Sequence, residues 1–179
     1  MDMSDETLAT EAARGDRSAF AALLARHYDR IFGLAYRLTG SRPEAEDLTQ
    51  DICLALPAKL RSYARQARFS TWLYRVTVNA AHDRRRRAAT HARAANGWGD
   101  WEISRQAAMA EAAKAQDWLA ATMAGLPTEL RDTVALTLGE ELSQAEAAEV
   151  LGVSEGTIAW RMSEVKKRLR GKARAEGMI

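Results

Sequence analysis

A single cysteine, Cys53, leaves this chain of 179 residues without an internal disulfide or a cysteine-built zinc site. That suits a reducing compartment. No apolar run approaches the ~18 residues of a membrane span, and no signal-peptide core is present, so a soluble, cytoplasmic chain without membrane contact is expected. Prolines number only three and alternating Val/Thr-rich runs are missing, while Ala, Leu, Arg and Glu abound. This composition predicts an all-α fold. The three histidines, His27, His82 and His91, are scattered. With no glycine-rich phosphate loop and no carboxylate pair at catalytic spacing, the chain does not read as an enzyme, and no metal or cofactor is expected. No internal repeat is detectable.

Acid is nearly absent from residues 61–93, which hold nine arginines and one carboxylate, Asp83. The formal net charge is only +2, so the local field outweighs the global one. Tyr63, Phe69, Trp72 and Tyr74 are interleaved with those arginines. Arg61–Arg68 has no apolar period and predicts a basic loop. Ser70 is positioned to cap a helix over Thr71–Arg87. Trp72, Val76 and Ala80, with Leu73 beside them, give that helix an apolar stripe. Tyr74, Asn79 and Asp83 fall off the stripe, towards solvent or a ligand. Arg84, Arg85, Arg86 and Arg87 load its last turn, where cations oppose the macrodipole. By itself such a helix is a core element with a solvated basic end. With its aromatic and arginine neighbours it has the make-up of a single-strand binding surface, rings for bases and guanidinium groups for phosphates.

Residues 4–14 predict a short helix ending at Gly15, and Asp16 caps a longer one. Its Phe20, Leu23, Leu24, His27, Tyr28, Ile31, Phe32, Ala35 and Leu38 recur at helical spacing, with His27 as a core-edge residue. Gly40 closes it. Ser41-Arg-Pro-Glu44 reads as a cap, a first-turn proline and a capping box. The helix that follows buries Ala45, Leu48, Ile52, Leu56 and Leu60, with a kink or break expected before Pro57. Its other face carries Glu44, Glu46, Asp47, Gln50 and Asp51. Such a face is either simply solvated or a dock for a basic partner helix. Cys53 reads as a small core residue.

Two glycines and no periodicity place a flexible linker at 93–104, with Trp98 and Trp101 in it. This divides the chain into domains at 1–92 and 105–179. Helical rhythm returns over 104–123. Thr128 is placed to cap a helix burying Leu130, Val134, Leu136 and Leu138. Ser143 caps a two-turn helix, Ala147 and Ala148 allow close approach, Gly152 makes the turn, and Ser154 caps Glu155–Arg170. That is a helix-turn-helix, whose second helix enters a major groove. Arg161, Lys166, Lys167, Arg168, Arg170, Lys172 and Arg174 make this end basic.

Three stretches, in this order, resemble the extracytoplasmic-function sigma factors of bacterial RNA polymerase. They are Pro43-Glu-Ala-Glu-Asp-Leu-Thr-Gln-Asp51, Phe69-Ser-Thr-Trp-Leu-Tyr-Arg-Val-Thr-Val-Asn79, and Leu126-Pro-Thr-Glu-Leu-Arg131 followed by Leu142–Ile158. The resemblance spans Asp16 to Arg170. It implies two helical domains, σ2 and σ4, that bind core polymerase and promoter DNA under an anti-sigma factor. Glu44, Asp47, Gln50 and Asp51 would then bind the core. Tyr63, Arg65, Arg68, Trp72, Tyr74, Asn79 and Arg84–Arg87 would bind the −10 element, with Tyr63 and Asn79 at the base pocket. Ser154, Glu155, Thr157, Ala159, Trp160, Arg161, Lys166, Lys167 and Arg168 would bind the −35 element. Where the family often has a basic residue then Ser, this chain has Ala159-Trp160; a Trp there contacts a thymine methyl or packs on the domain. Glu164 also stands where Arg is frequent. Two rival readings are a sigma-mimicking adaptor that sequesters an anti-sigma factor, and a repressor using only the helix-turn-helix. The nine arginines argue against the first, and residues 1–93 against the second.

Overall fold

A computed structural model of the chain describes residues 3–95, 122–123 and 125–177. Among these are seven α-helices, one π-helical turn and no strand, as the composition predicts. The chain packs as two units, Met1–His82 and Asp83–Ile179.

In the first unit, Ser4 caps α1 (Asp5–Ala13) and Asp16 caps α2 (Arg17–Thr39), accepting from the Ser18 and Ala19 N–H groups. Gly40 ends α2 at φ 70°, a left-handed conformation that costs glycine least. Leu23, His27, Ile31, Ala35 and Leu38 are buried as predicted, together with Ala19 and Leu34, whereas Tyr28 is exposed. Helix α3 (Arg42–Leu60) runs on through Pro57 without the expected break. The proline removes one backbone bond, but Leu56 and Leu60 are both buried, and their packing holds the last turn. Ser41 sits at the cap position of α3, yet its side chain makes no cap bond, so the capping box is not formed. Pro43 offers no N–H, and the Ser41 N–H is taken by Thr39 Oγ1 at 3.4 Å.

Helix α4 spans Phe69–Ala95. It starts two residues before the predicted start, so Ser70 lies inside its first turn rather than capping it. Residues 93–95 are helical, and the rest of the expected linker, with Trp98 and Trp101, lies outside the described residues. So does nearly all of the helix expected over 104–123. The buried stripe of α4 is Phe69, Leu73, Tyr74, Thr77, Val78 and Ala81. Trp72, Val76 and Ala80 are only partly buried. Of the predicted stripe Leu73 is core and the other three lie at its edge; Thr71 and Thr77, polar by type, are buried in their place, and Thr77 bonds its hydroxyl back to Leu73 O at 3.0 Å.

The second unit holds α5 (Thr128–Val134), a π turn (Ala135–Gly139), α6 (Gln144–Leu151) and α7 (Glu155–Ala175). Thr128 is the first residue of α5 rather than its cap; the Pro127 carbonyl accepts the Leu130 and Arg131 N–H groups at 3.0 Å each. The Glu140 N–H reaches back five residues to Ala135 O at 3.1 Å. That wide turn rotates Leu138, expected in the core, out to 64% exposure. Leu126, Leu130, Val134 and Val165 form a core flanked by Met123, Met162 and Leu169. Ser143 and Glu146 form a complete capping box on α6. Gly152 turns at φ 65°, and Ser154 caps α7 through the Thr157 N–H.

Candidate nucleic-acid interface

The loop between α3 and α4 is basic in sequence and ordered by its own bonds. The Ser62 and Tyr63 N–H groups close onto Lys59 O and Leu60 O. The Tyr63 hydroxyl donates to Ala67 O at 2.9 Å and spans the loop. Between them Arg65 is left-handed at φ 56°, a strained conformation for a side chain of its kind. Tyr63 is thereby delivered onto α4, 5.6 Å from Phe69 and 5.3 Å from Trp72, while Phe69 and Trp72 are 5.6 Å apart. Phe69 is 1% exposed and is the floor of this cluster. Tyr63 and Trp72 are half-buried and present ring surface outward. Burial, and after it the Glu6 charge, raises the Tyr63 phenol pKa, so it remains a neutral donor.

Trp72, Val76, Asn79, Asp83 and Arg86 recur at helical spacing and share one face of α4, opposite its core stripe. Asn79 is exposed there, about two helical turns beyond Trp72. Tyr74 is 5% exposed, so the expectation that it faces solvent or a ligand is corrected; it belongs to the buried stripe. The four arginines do not form one patch. Arg86 and Arg87 are exposed, and Arg84 and Arg85 half-buried. Within the second unit, Arg85 Nη2 donates to the buried Asp132 at 3.1 Å, and Arg86 pairs with Asp83 at 2.8 Å. Arg65 is exposed, and so is Arg68, whose carbonyl accepts the Trp72 N–H.

On α3, Asp47, Gln50 and Asp51 are exposed and Glu44 half-buried. Between them and the helix end stands Leu54, 74% exposed. The sequence reading missed it, though its offset from Leu48, Ile52 and Leu56 marks it as out of phase with the core. Leu54 stands three and seven positions after Asp51 and Asp47, so an apolar side chain shares the exposed face with the two carboxylates.

In the helix-turn-helix, Ser154, Glu155, Ala159, Lys166, Lys167 and Arg168 are exposed, with Thr157 and Arg161 half-buried. Ile158 and Val165 bury the opposite face of α7. Trp160 is 63% exposed, so it does not pack on the domain. Glu164 holds Arg168 at 3.1 Å along α7. Exposed pairs of this kind are weak, so Arg168 is held only loosely.

The Sigma-70 region 2 family matches residues 23–91, and Sigma-70, region 4 matches residues 116–169. The RNA polymerase sigma factor SigM of Mycobacterium tuberculosis is 33% identical over 93% of this chain and 83% of its own length. The chain belongs to the extracytoplasmic-function sigma factors. SigW of Bacillus subtilis is 30% identical over 97% of this sigma factor and 99% of its own length. The solved structure of CnrH, a sigma factor of Cupriavidus metallidurans, in complex with the cytosolic domain of CnrY is similar at a TM-score of 0.71 and 28% identity, covering 96% and 97% of the two chains. Sigma factors are not enzymes; they act with RNA polymerase on promoters. Among the described residues no helix of this one is long and apolar enough to cross a membrane.

Proposed function

We propose that this sigma factor divides promoter recognition between surfaces at its two ends, with domains at 1–92 and 105–179 and the connection at 93–104. The first captures an unstacked base of the −10 element against Tyr63 and Trp72, with Asn79 reading its edge. Arg65, Arg68, Arg86 and Arg87 bind phosphates around it, and Arg84 and Arg85 join them only on leaving their present surroundings. The second sets the exposed face of α7 in the major groove of the −35 element. There Ala159 and Trp160 supply apolar contact, and Lys166, Lys167 and Arg168 positive charge. The acidic face of α3, from Glu44 to Leu54, docks the core polymerase.

The observation that carries this reading is the half-buried pair Tyr63, on the loop, and Trp72, which shares one face of α4 with Asn79. Stacking and edge hydrogen bonds are what offset the few kcal/mol of unstacking a base. The likeness to CnrH, solved with the cytosolic domain of CnrY, supports a partner that occupies this chain in the same manner. An anti-sigma factor acting in the cytoplasm, and no catalysis by the chain itself, complete the proposal.

Promoter-specific transcription with purified core polymerase, on linear and pre-melted templates, tests it. Specific initiation is expected on both. Core binding without initiation on either would leave the adaptor reading.

A further inference from the structure

The ring cluster is held from a distant part of the chain. Glu6 Oε1 accepts the Phe69 N–H, a long contact of 3.4 Å between residues 63 positions apart. That N–H opens α4 and has no partner within the helix. A carboxylate there also meets the positive end of the α4 macrodipole. One residue earlier, Asp5 Oδ2 lies 2.7 Å from His27 Nε2, and Asp5 Oδ1 accepts from Arg26 Nη1 at 3.0 Å. His27 is 4% exposed, and its ring meets Phe69 edge-on at 5.2 Å. Phe69 in turn supports Tyr63 and Trp72. The first turn of α1 therefore reaches the cluster by two routes, one through the backbone at Phe69 and one through the His27 ring. Both carboxylates are fixed at their own end, because the Ser4 side chain caps α1. The Tyr63 phenol also senses both: after burial, the charges of Glu6 and Asp5 raise it.

We infer that Asp5 and Glu6 are positioning residues for base capture: they fix the start of α4 and the Phe69 floor, and so the separation and tilt of Tyr63 and Trp72. This rests on the reading of those two rings as the capturing surface. Neither carboxylate touches the captured base.

The test uses the full chain bound to core polymerase. The probe is a short fluorescein-labelled single strand carrying one 2-aminopurine, whose emission falls when it stacks on a ring. Glu6→Ala should weaken binding and reduce the quench by roughly two- to tenfold, the range of one net hydrogen bond. Glu6→Gln keeps an acceptor at the same reach and should restore most of it. Glu6→Asp keeps the charge but withdraws it by one methylene, and should behave like Glu6→Ala. Asp5→Asn keeps one acceptor and should lie between. Trp72→Ala separates the two levels: if it leaves the quench unchanged, the capturing surface itself is wrongly assigned. If Trp72→Ala abolishes the quench while Glu6→Ala and Glu6→Asp match the unaltered chain, the inference is overturned. Should Glu6→Ala fail to fold by circular dichroism, Glu6→Asp against Glu6→Gln decides alone. Equal quench in those two would refute the inference.

Discussion

The Tyr63 and Trp72 rings stand 5.3 Å apart at an interplanar angle of 49°, a tilted contact between a loop and a helix. Removing one ring removes both that contact and the stack offered to a base. Trp72→Ala should therefore weaken binding to a pre-melted −10 element by about ten- to a hundredfold, since one base–aromatic stack is worth ~1–3 kcal/mol. Affinity for the core should not change. Anisotropy titrations on melted and duplex templates check this; an equal loss on both would assign Trp72 to general packing.

Asn79 and the arginines that follow it should fail differently. Arg86→Ala with Arg87→Ala should weaken every sequence alike and flatten the salt dependence by about two counterions' worth, because phosphate contacts release counterions without reading bases. Asn79→Ala should leave that slope alone and lower discrimination at one base position. Competition binding across salt, with each base in turn at the captured position, separates them. Loss of slope in Asn79→Ala would remove it from base reading.

Much of this was legible in the sequence because it is local. Asp16, Ser143 and Ser154 act as caps, and Gly40 and Gly152 turn left-handed where the pattern demands. The acidic face of α3 follows from spacing alone. What was not legible depends on contacts between distant residues or on a break in the helical period. Helix α4 begins two residues early, at Phe69, whose N–H is accepted by Glu6 from 63 positions away, a contact that no pattern near Ser70 encodes. The π turn at Ala135–Gly139 shifts every later position, so Leu138 points outward against a regular count. On α4 the polar threonines and the large Trp72 disguised which face was core, and Tyr74 was misassigned with it.

Reversing Asp47 and Asp51 to lysine should weaken core polymerase binding and leave the helical circular dichroism intact, since both are exposed on α3. Leu54→Ala tests the apolar part of the same face. Burying a leucine is worth ~1.5–3 kcal/mol, so truncating one at the centre of a dock should cost tenfold or more. Core affinity by surface plasmon resonance gives the answer, and unchanged affinity in both variants would move the dock elsewhere.

The Ser143–Glu146 capping box places a different test on the helix-turn-helix. Ser143→Ala should destabilise the second unit by ~1 kcal/mol, the usual value of such a cap. The box satisfies two N–H groups at once, those of Glu146 and Ser143 at 3.2 and 2.9 Å. Glu146→Ala should therefore cost a comparable amount, and the double variant less than the sum of the two. Urea denaturation of the full chain, followed by a probe in α6, measures all three. Strict additivity would mean the two bonds form independently.

Acid should loosen the first unit through the α1 carboxylates. Burial raises the Asp5 pKa, but hydrogen bonds from Arg26 and His27 and their charges outweigh it, leaving the carboxyl below its ordinary 3.8. Glu6 is held below its ordinary 4.5 by its own backbone N–H first and by that of Phe69 next. A folded-state pKa below the unfolded one means that the unfolded chain takes up protons first as pH falls. The stabilisation is complete above the unfolded values and is lost as pH falls through the folded ones. For Asp5 and Glu6 that window opens at about pH 5 and extends downward. Denaturation midpoints between about pH 5 and pH 3 should therefore fall more steeply for the unaltered chain than for the Asp5→Asn, Glu6→Gln double variant. Near neutral pH the order should be reversed in level, with the variant less stable because its bonds are no longer charge-assisted. Parallel acid limbs in the two chains would show that neither carboxylate holds the junction by its charge.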